Sequence, residues 1–232
     1  MKQNQDKDLI YKQIISFYDE IADHYDNLMD QEIGNRIARQ KVADKFCNLI
    51  HSGEILDFGG GTGLDLEWLT HKGYRIIFSE PSGKMREKAF ELNKNTLHNP
   101  DLVILDSNKT DFTKWHRELP FLQKVDAILA NFAAINCIPD IELLFRNLAL
   151  VLKPGGHLLA LILHQKFKKK IGFPGFTGRG CPCYSESHLI FRFGLGNMNI
   201  RSGSIRPGKL KDFLRPVFIS SPVRILKNMA FL

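Results

Sequence analysis

The stretch ILDFGGGTGLDLEWL, residues 55–69, decides the fold. An apolar run ends at Asp57, glycines follow at positions 59, 60, 61 and 63, and a helical pattern begins. Glycines at such a bend admit positive φ, and their missing side chains let a ligand approach the backbone. The helix beyond offers unpaired N–H groups at its N-terminus. A dinucleotide fingerprint would need G-x-G-x-x-G. Counted from Gly59 its third glycine falls on Leu64, and counted from Gly61 it falls on Leu66. No Gly-Lys-Ser/Thr follows, so the stretch is not a P-loop either. What remains is D-x-G-x-G-x-G, with a carboxylate ahead of the glycines.

Downstream, short apolar runs alternate with helical patterns. Tyr74 to Phe78 precedes Glu80, Leu102 to Leu105 precedes Asp106, Val125 to Ala130 precedes Asn131, and His157 to Leu163 precedes His164. Helical spacing covers Leu64 to Thr70, Lys84 to Leu92 and Ile141 to Leu152. Strands alternating with helices predict an α/β fold with a mostly parallel sheet covered on both faces. Ligands of such sheets bind outside the carboxyl ends of the strands. Asp57, Glu80, Asp106 and Asn131 then stand along one rim. Each alone reads as a cap or turn residue; four in series read as a site.

Upstream, residues 9–50 read as helix. Ile10, Ile14, Phe17, Ile21 and Tyr25 recur at helical steps, and a second pattern from Ile33 to Ile50 runs to the stop signal Ser52-Gly53. Beyond 164 the rhythm breaks. Gly172 to Cys183 is rich in Gly and Pro, Leu189 to Phe193 and Asn199 to Ile205 read as a hairpin, and Pro207 starts a short helix ahead of closing strands. The chain divides into an N-terminal helical segment (1–52), a ligand-binding core (53–164), a basic insertion or lid on the substrate side (165–206), expected to hold whatever is acted on, and a closing helix and strands (207–232). No linker separates them, so 1–232 reads as a single domain.

The composition is that of a globular chain: 232 residues, 44% apolar, 25% charged, with 17 Phe. No apolar run approaches the ~18 residues of a membrane span, the longest being Leu158 to Leu163. The N-terminal stretch lacks an apolar secretory core, and four cysteines are too few for a disulfide framework. The expectation is reduced thiols and a cytoplasmic protein. Cys181-Pro182-Cys183 with His188 is spaced too tightly for zinc and has no second pair, so no metal is expected. The net charge of +7 is unevenly spread. Residues 161–232 hold 13 Lys and Arg against two acids, whereas residues 1–160 hold 19 against 23. The basic back either faces something anionic or is a solvated face.

With these motifs together, the chain resembles the class I S-adenosylmethionine-dependent methyltransferases over roughly residues 15–163. The resemblance implies a three-layer Rossmann-like sheet, with S-adenosyl-L-methionine as cofactor and S-adenosyl-L-homocysteine as product. It places Asp57, Gly59, Gly60, Gly61 and Gly63 in the loop that cradles the cofactor, and Glu80 on the ribose hydroxyls. Pro81 and Met85 wall the adenine, Asp106 and Ser107 meet its amine with Asp111 as competitor, and Asn131 lies near the methionyl part. VLKPGGHLL (151–159) matches the family's turn into the fifth strand. FYDEIADHYDNL resembles the family's N-terminal helix, in which an aromatic hydroxyl reaches the cofactor carboxylate. Tyr18 and Tyr25 take that role here, or else pack the helix face.

The implied reaction is displacement of methyl from a sulfonium, which asks the protein to bind, align and exclude water. Asn131-Phe132-Ala133-Ala134 lacks the Pro-Pro-aromatic sequence of enzymes that methylate nucleobase amines or glutamine amides. The acceptor is expected to be a small molecule, anionic or aromatic. RNA or an anionic lipid surface held by the basic segment is the alternative, and a non-catalytic cofactor-binding protein the third reading. No catalytic residue is assigned; His164 and His24 are the candidate bases.

Overall fold

The computed structural model describes residues 2–30, 33–94, 99–132, 134–164, 185–193 and 198–202. Two helices lead, α1 (Lys2–Asp30) and α2 (Ile33–Leu49). Helix α1 begins at Lys2, upstream of the apolar periodicity that starts at Ile10. The α/β alternation then runs β1 (Glu54–Phe58), α3 (Leu66–His71), β2 (Arg75–Ser79), α4 (Gly83–Leu92), β3 (Leu102–Ile104), β4 (Val125–Ala130), α5 (Ile141–Val151) and β5 (Leu152–His164). Two further strands follow, β6 (Ser185–Phe193) and β7 (Met198–Ser202).

The sheet order is β3-β2-β1-β4-β5-β6-β7. Strands β1 to β5 pair in parallel; β6 is antiparallel to β5, and β7 to β6. The expected α/β fold with a mostly parallel, three-layer Rossmann-like sheet is what forms. The expected hairpin forms as well, with its first strand longer and its second ending at Ser202. The rest of the basic insertion and the whole of 207–232 lie outside the described residues, as do Cys181 and Cys183.

Alternate strand residues supply the two faces. Leu56, Phe58, Ile128, Ala130, Leu158, Ala160 and Ile162 pack against Leu144, Leu148 and Val151 of α5, with Phe112 and Trp115. Ile55, Ile76, Phe78, Ala127, Leu129, Leu159 and Leu161 pack against Ala38, Val42 and Phe46 of α2 and Leu66 and Leu69 of α3. A third, smaller cluster joins Ala22, Tyr25 and Met29 of α1 to Met85 of α4.

Two local differences from the sequence reading have physical causes. Strand β1 continues through Asp57, which lies opposite Phe78 and Leu129 in the ladder and is fully buried. Its backbone is held on both sides, so the acid does not end the strand. The Lys-Pro-Gly-Gly turn is a bulge within β5. Val125 pairs with Leu152 and Ala127 with His157, so residues 153–156 loop out opposite Asp126, whose carboxylate holds the Lys153 ammonium at 2.8 Å. A Cβ on Gly156 would come within 2.9 Å of the Asp126 carbonyl oxygen, which explains glycine at that close approach.

Candidate functional site

Strand β1 is flanked by β2 on one side and β4 on the other, so chain progression reverses there and opens a crevice at the strands' carboxyl ends. The loops after β1, β2 and β4 converge on it, and α1 lies across the top. Tyr18, Tyr25, Gly59, Gly61, Glu80, Pro81 and Met85 line one cavity together.

The loop after β1 is fixed from below. The Gly59 and Gly60 amides donate to the Ser79 carbonyl at 2.7 and 3.2 Å, which ties β1's end to β2's. Gly60 cannot carry a side chain: its Cβ would meet the Phe78 ring at 2.3 Å and the Asp57 carboxylate at 2.6 Å. Gly61 differs, having φ +59° and nothing nearer its Cβ position than the Tyr25 ring at 3.9 Å. It leaves bare backbone at the cavity wall.

Glu80, just past β2, is buried in that wall. Its Oε2 accepts the Gly61 amide at 2.9 Å and its Oε1 accepts the Ser82 amide at 2.8 Å. Burial pushes its carboxyl up to about 7, while the two amides and the Arg86 guanidinium pull it down. Each oxygen keeps a lone pair for a further donor. Arg86 donates to the Glu80 and Pro81 carbonyls, and Ser82 caps α4 by accepting the Met85 amide at 3.1 Å. The acid and both wall residues are therefore held by short local bonds.

Asp57 lies beneath the loop rather than in the cavity lining, and neither carboxylate oxygen has a partner. Burial first, and then the neighbouring Asp65, raise its pKa, against the pull of Arg39. Gly63 also serves packing, its Cβ position lying 2.8 Å from the Asn93 amide.

Helix α1 forms the roof. Tyr11, Tyr18 and Tyr25, seven residues apart, all face the cavity. The Tyr18 hydroxyl is hydrogen-bonded to the Cys137 thiol at 3.1 Å, and its ring meets that of Tyr25 edge to face at 6.2 Å. Burial raises all three phenols and pushes the Cys137 thiol up to about 11, so each is neutral near pH 7. Polar tethers hold the roof down. Asp19 accepts the Ser82 hydroxyl at 2.6 Å and the Lys84 amide at 3.0 Å, Asp26 accepts the Thr62 hydroxyl, and Lys7 meets Asp140 at 2.7 Å.

Other residues singled out from the sequence lie elsewhere. Asp106 and Ser107 are exposed, and Asp106 Oδ1 accepts the amides of Asn108 at 2.9 Å and Lys109 at 3.0 Å, closing a turn. Asp111 caps a short 3₁₀ turn through Thr113 and pairs with Lys114 at 3.0 Å. Asn131 is buried, donating to Asp65 at 2.9 Å and accepting the Phe132 amide at 2.9 Å. His24 is exposed and outside the lining. His164 is placed by its backbone alone, opposite Ser185 in the β5–β6 ladder.

The lining also includes Tyr11, Thr110, Phe132 and Cys137, which the sequence reading passed over. Tyr11 was findable as the third member of the seven-residue tyrosine series. Thr110 and Cys137 carry no such signal, since their place depends on how two loops fold back.

The bare Gly61 backbone and the half-free Glu80 carboxylate fit an adenosyl group bearing two vicinal hydroxyls. Glu80 would hold the ribose, Pro81 and Met85 would wall the base, and the Gly59–Gly61 backbone would lie along the remainder.

A family model described as a methyltransferase domain matches residues 25–190. No curated protein matches the chain. Among solved structures, the [4+2]-cyclase SpnF shares 18% identity at a TM-score of 0.55, covering 73% of this chain and 65% of that one. A chain of the complex containing the Haloferax volcanii Trm112 methyltransferase activator shares 22% identity at 0.49, covering 62% and 59%. The Haemonchus contortus phosphoethanolamine N-methyltransferase 2, in complex with phosphomonomethylethanolamine and S-adenosylhomocysteine, shares 17% identity at 0.45, covering 57% and 29%. This chain spans less than two thirds of the length of each. The cyclase shows that this fold alone does not fix a reaction.

Proposed function

Since this chain belongs to the class I S-adenosylmethionine-dependent methyltransferase family, we propose that it transfers a methyl group to a small-molecule acceptor that is aromatic or anionic. The observation that carries the reading is Glu80: a carboxylate buried in the cavity wall, braced by two amides, with acceptor capacity left on both oxygens. When bound, the cofactor supplies the activated methyl on its sulfonium.

The chain's own residues bind and align. Glu80 accepts the ribose hydroxyls, and Pro81 and Met85 pack on the base. Gly59 and Gly61 give backbone access, and Tyr18 and Tyr25 close the methionyl end from above. Moving from β2 across β1 to β4, the wall passes from Glu80 to the glycines and on to Phe132 and Cys137. We infer from that direction an acceptor on the β4 side, under Tyr11 and Tyr18. Alignment in a water-poor, aromatic chamber is the main catalytic device available there.

A second reading, methylation of RNA or an anionic lipid, is favoured by the +11 segment alone. We place the enzyme in the cytosol; among the described residues no helix is long and apolar enough to cross a membrane. The deciding experiment incubates the protein with methyl-labelled cofactor and separated small-molecule, RNA and lipid fractions of a cell extract. Label in the small-molecule fraction supports the proposal, label in RNA or lipid moves the assignment to the second reading, and label in none refutes both.

A further inference from the structure

The turn after β4 contains an unusual backbone. Phe132 stands at φ +44°, the only non-glycine residue with positive φ among those described. A bulky side chain in that region is strained and persists only where its surroundings over-determine it. Here they do. The Asn131 side-chain oxygen accepts the Phe132 amide at 2.9 Å, and the Ala134 amide closes the turn on the Asn131 carbonyl at 3.3 Å. The Arg39 guanidinium of α2 lies over the Phe132 ring, 4.3 Å from its centroid.

Arg39 is itself fixed. It pairs with Asp65 at 2.9 Å, and that carboxylate also accepts from Asn131 at 2.9 Å and from the Trp68 indole at 2.9 Å. Asp65 directly precedes α3, at the end of the glycine loop. One buried acid thus connects α2, the loop after β1 and the loop after β4. The ring held by this network lines the cavity beside Gly59 and Gly61, and it packs against both the core beneath the sheet and the Tyr25–Met85 cluster of α1.

We propose that Arg39 is a positioning residue which, through its stack on Phe132 and its bond to Asp65, sets the cavity wall facing the methyl-bearing end of the cofactor. The inference rests on the cofactor reading given above. The network keeps the ring in a conformation the backbone alone would reject, and Phe132 in turn gives Tyr25 a surface to close on. The strain is then stored for binding, not for folding.

Three variants separate this from a merely structural role, each read by calorimetric titration with S-adenosylhomocysteine and by thermal unfolding. Phe132→Gly removes both strain and wall; it should unfold at a higher temperature than Phe132→Ala while binding as weakly. Arg39→Lys keeps the charge beside Asp65 but loses the flat face over the ring. It should bind roughly five- to tenfold more weakly, with little change in unfolding temperature. If both Arg39→Lys and Phe132→Gly bind as tightly as the parent, the positioning role is overturned while the cofactor reading stands. Absence of heat with the parent protein itself would sink the cofactor reading and this inference with it.

Discussion

Beneath the cavity, Phe78, Leu129 and Leu159 belong to a continuous apolar layer between the sheet and α2 and α3. Above it, α1 meets the rest through a small buried cluster with Met85, through the Tyr11 ring against Phe112 and the Tyr18 hydroxyl at Cys137, and through Asp19, Asp26 and Lys7. Floor and roof enclose the same space by different forces. Apolar burial scales with area and has no directional requirement. Ionic and hydrogen-bonded tethers at half-exposed positions each contribute little and are exchanged readily with water. The contrast teaches that the floor specifies the fold, while the roof rests on fewer buried contacts and more polar ones.

The most severe way to probe the comparison is to cut the floor. Phe78→Ala removes a fully buried ring that also backs Gly60, and should cost about 3–5 kcal/mol in denaturant unfolding. Next is the wall between the two. Glu80→Ala should weaken cofactor binding by well over tenfold, since two charge-assisted hydrogen bonds at ~1.5–3 kcal/mol each are lost.

Glu80 also has a pH signature. Its folded carboxyl sits near 7, above the ordinary 4.5, so the charged form is disfavoured in the empty protein. The stability it allows is fully present below about 4.5 and is lost as pH rises towards 7, a slope that Glu80→Gln should flatten. Ribose donors favour the charged form, so binding should release a proton below pH 7 and tighten as pH rises to that value.

Roof variants should do less. Asp19→Ala frees the Ser82 hydroxyl and the Lys84 amide; it should cost about 1 kcal/mol and speed amide exchange in α1 more than in the sheet. Least of all, Asp23→Asn weakens a pair between an exposed Asp23 and a half-buried Lys88 and should leave unfolding nearly unchanged. An Asp23 effect as large as that of Phe78 would erase the distinction between floor and roof.

The floor was legible in the sequence because its signals are periodic. Alternating runs ending in Asp57, Glu80 and Asn131 announced a parallel sheet, and the glycines announced its loop. Glu80, Gly59, Gly61, Pro81 and Met85 follow from strand-end logic and from the family resemblance, and they do meet in one cavity. The same logic places Asp106 on the rim, but β3 ends at Ile104, and from Asp106 onward the chain folds into a turn that uses the carboxylate itself. Asn131 is expected near the methionyl part of the cofactor. Its side chain is committed to Asp65, a residue 66 positions away that no local pattern connects to it. The conformation of Phe132 is illegible for the same reason, because the neighbours that hold its ring and its turn include Arg39 and Asp65, far away in the sequence.

The most direct test is a calorimetric titration of the protein and its Glu80→Ala variant with S-adenosylhomocysteine at pH 6 and pH 8. The expected result is saturable one-to-one heat for the parent, tighter at pH 8 and with proton release at pH 6, and at least tenfold weaker binding by the variant at pH 8. Equal binding by parent and variant, or no heat from the folded parent at either pH, would contradict it.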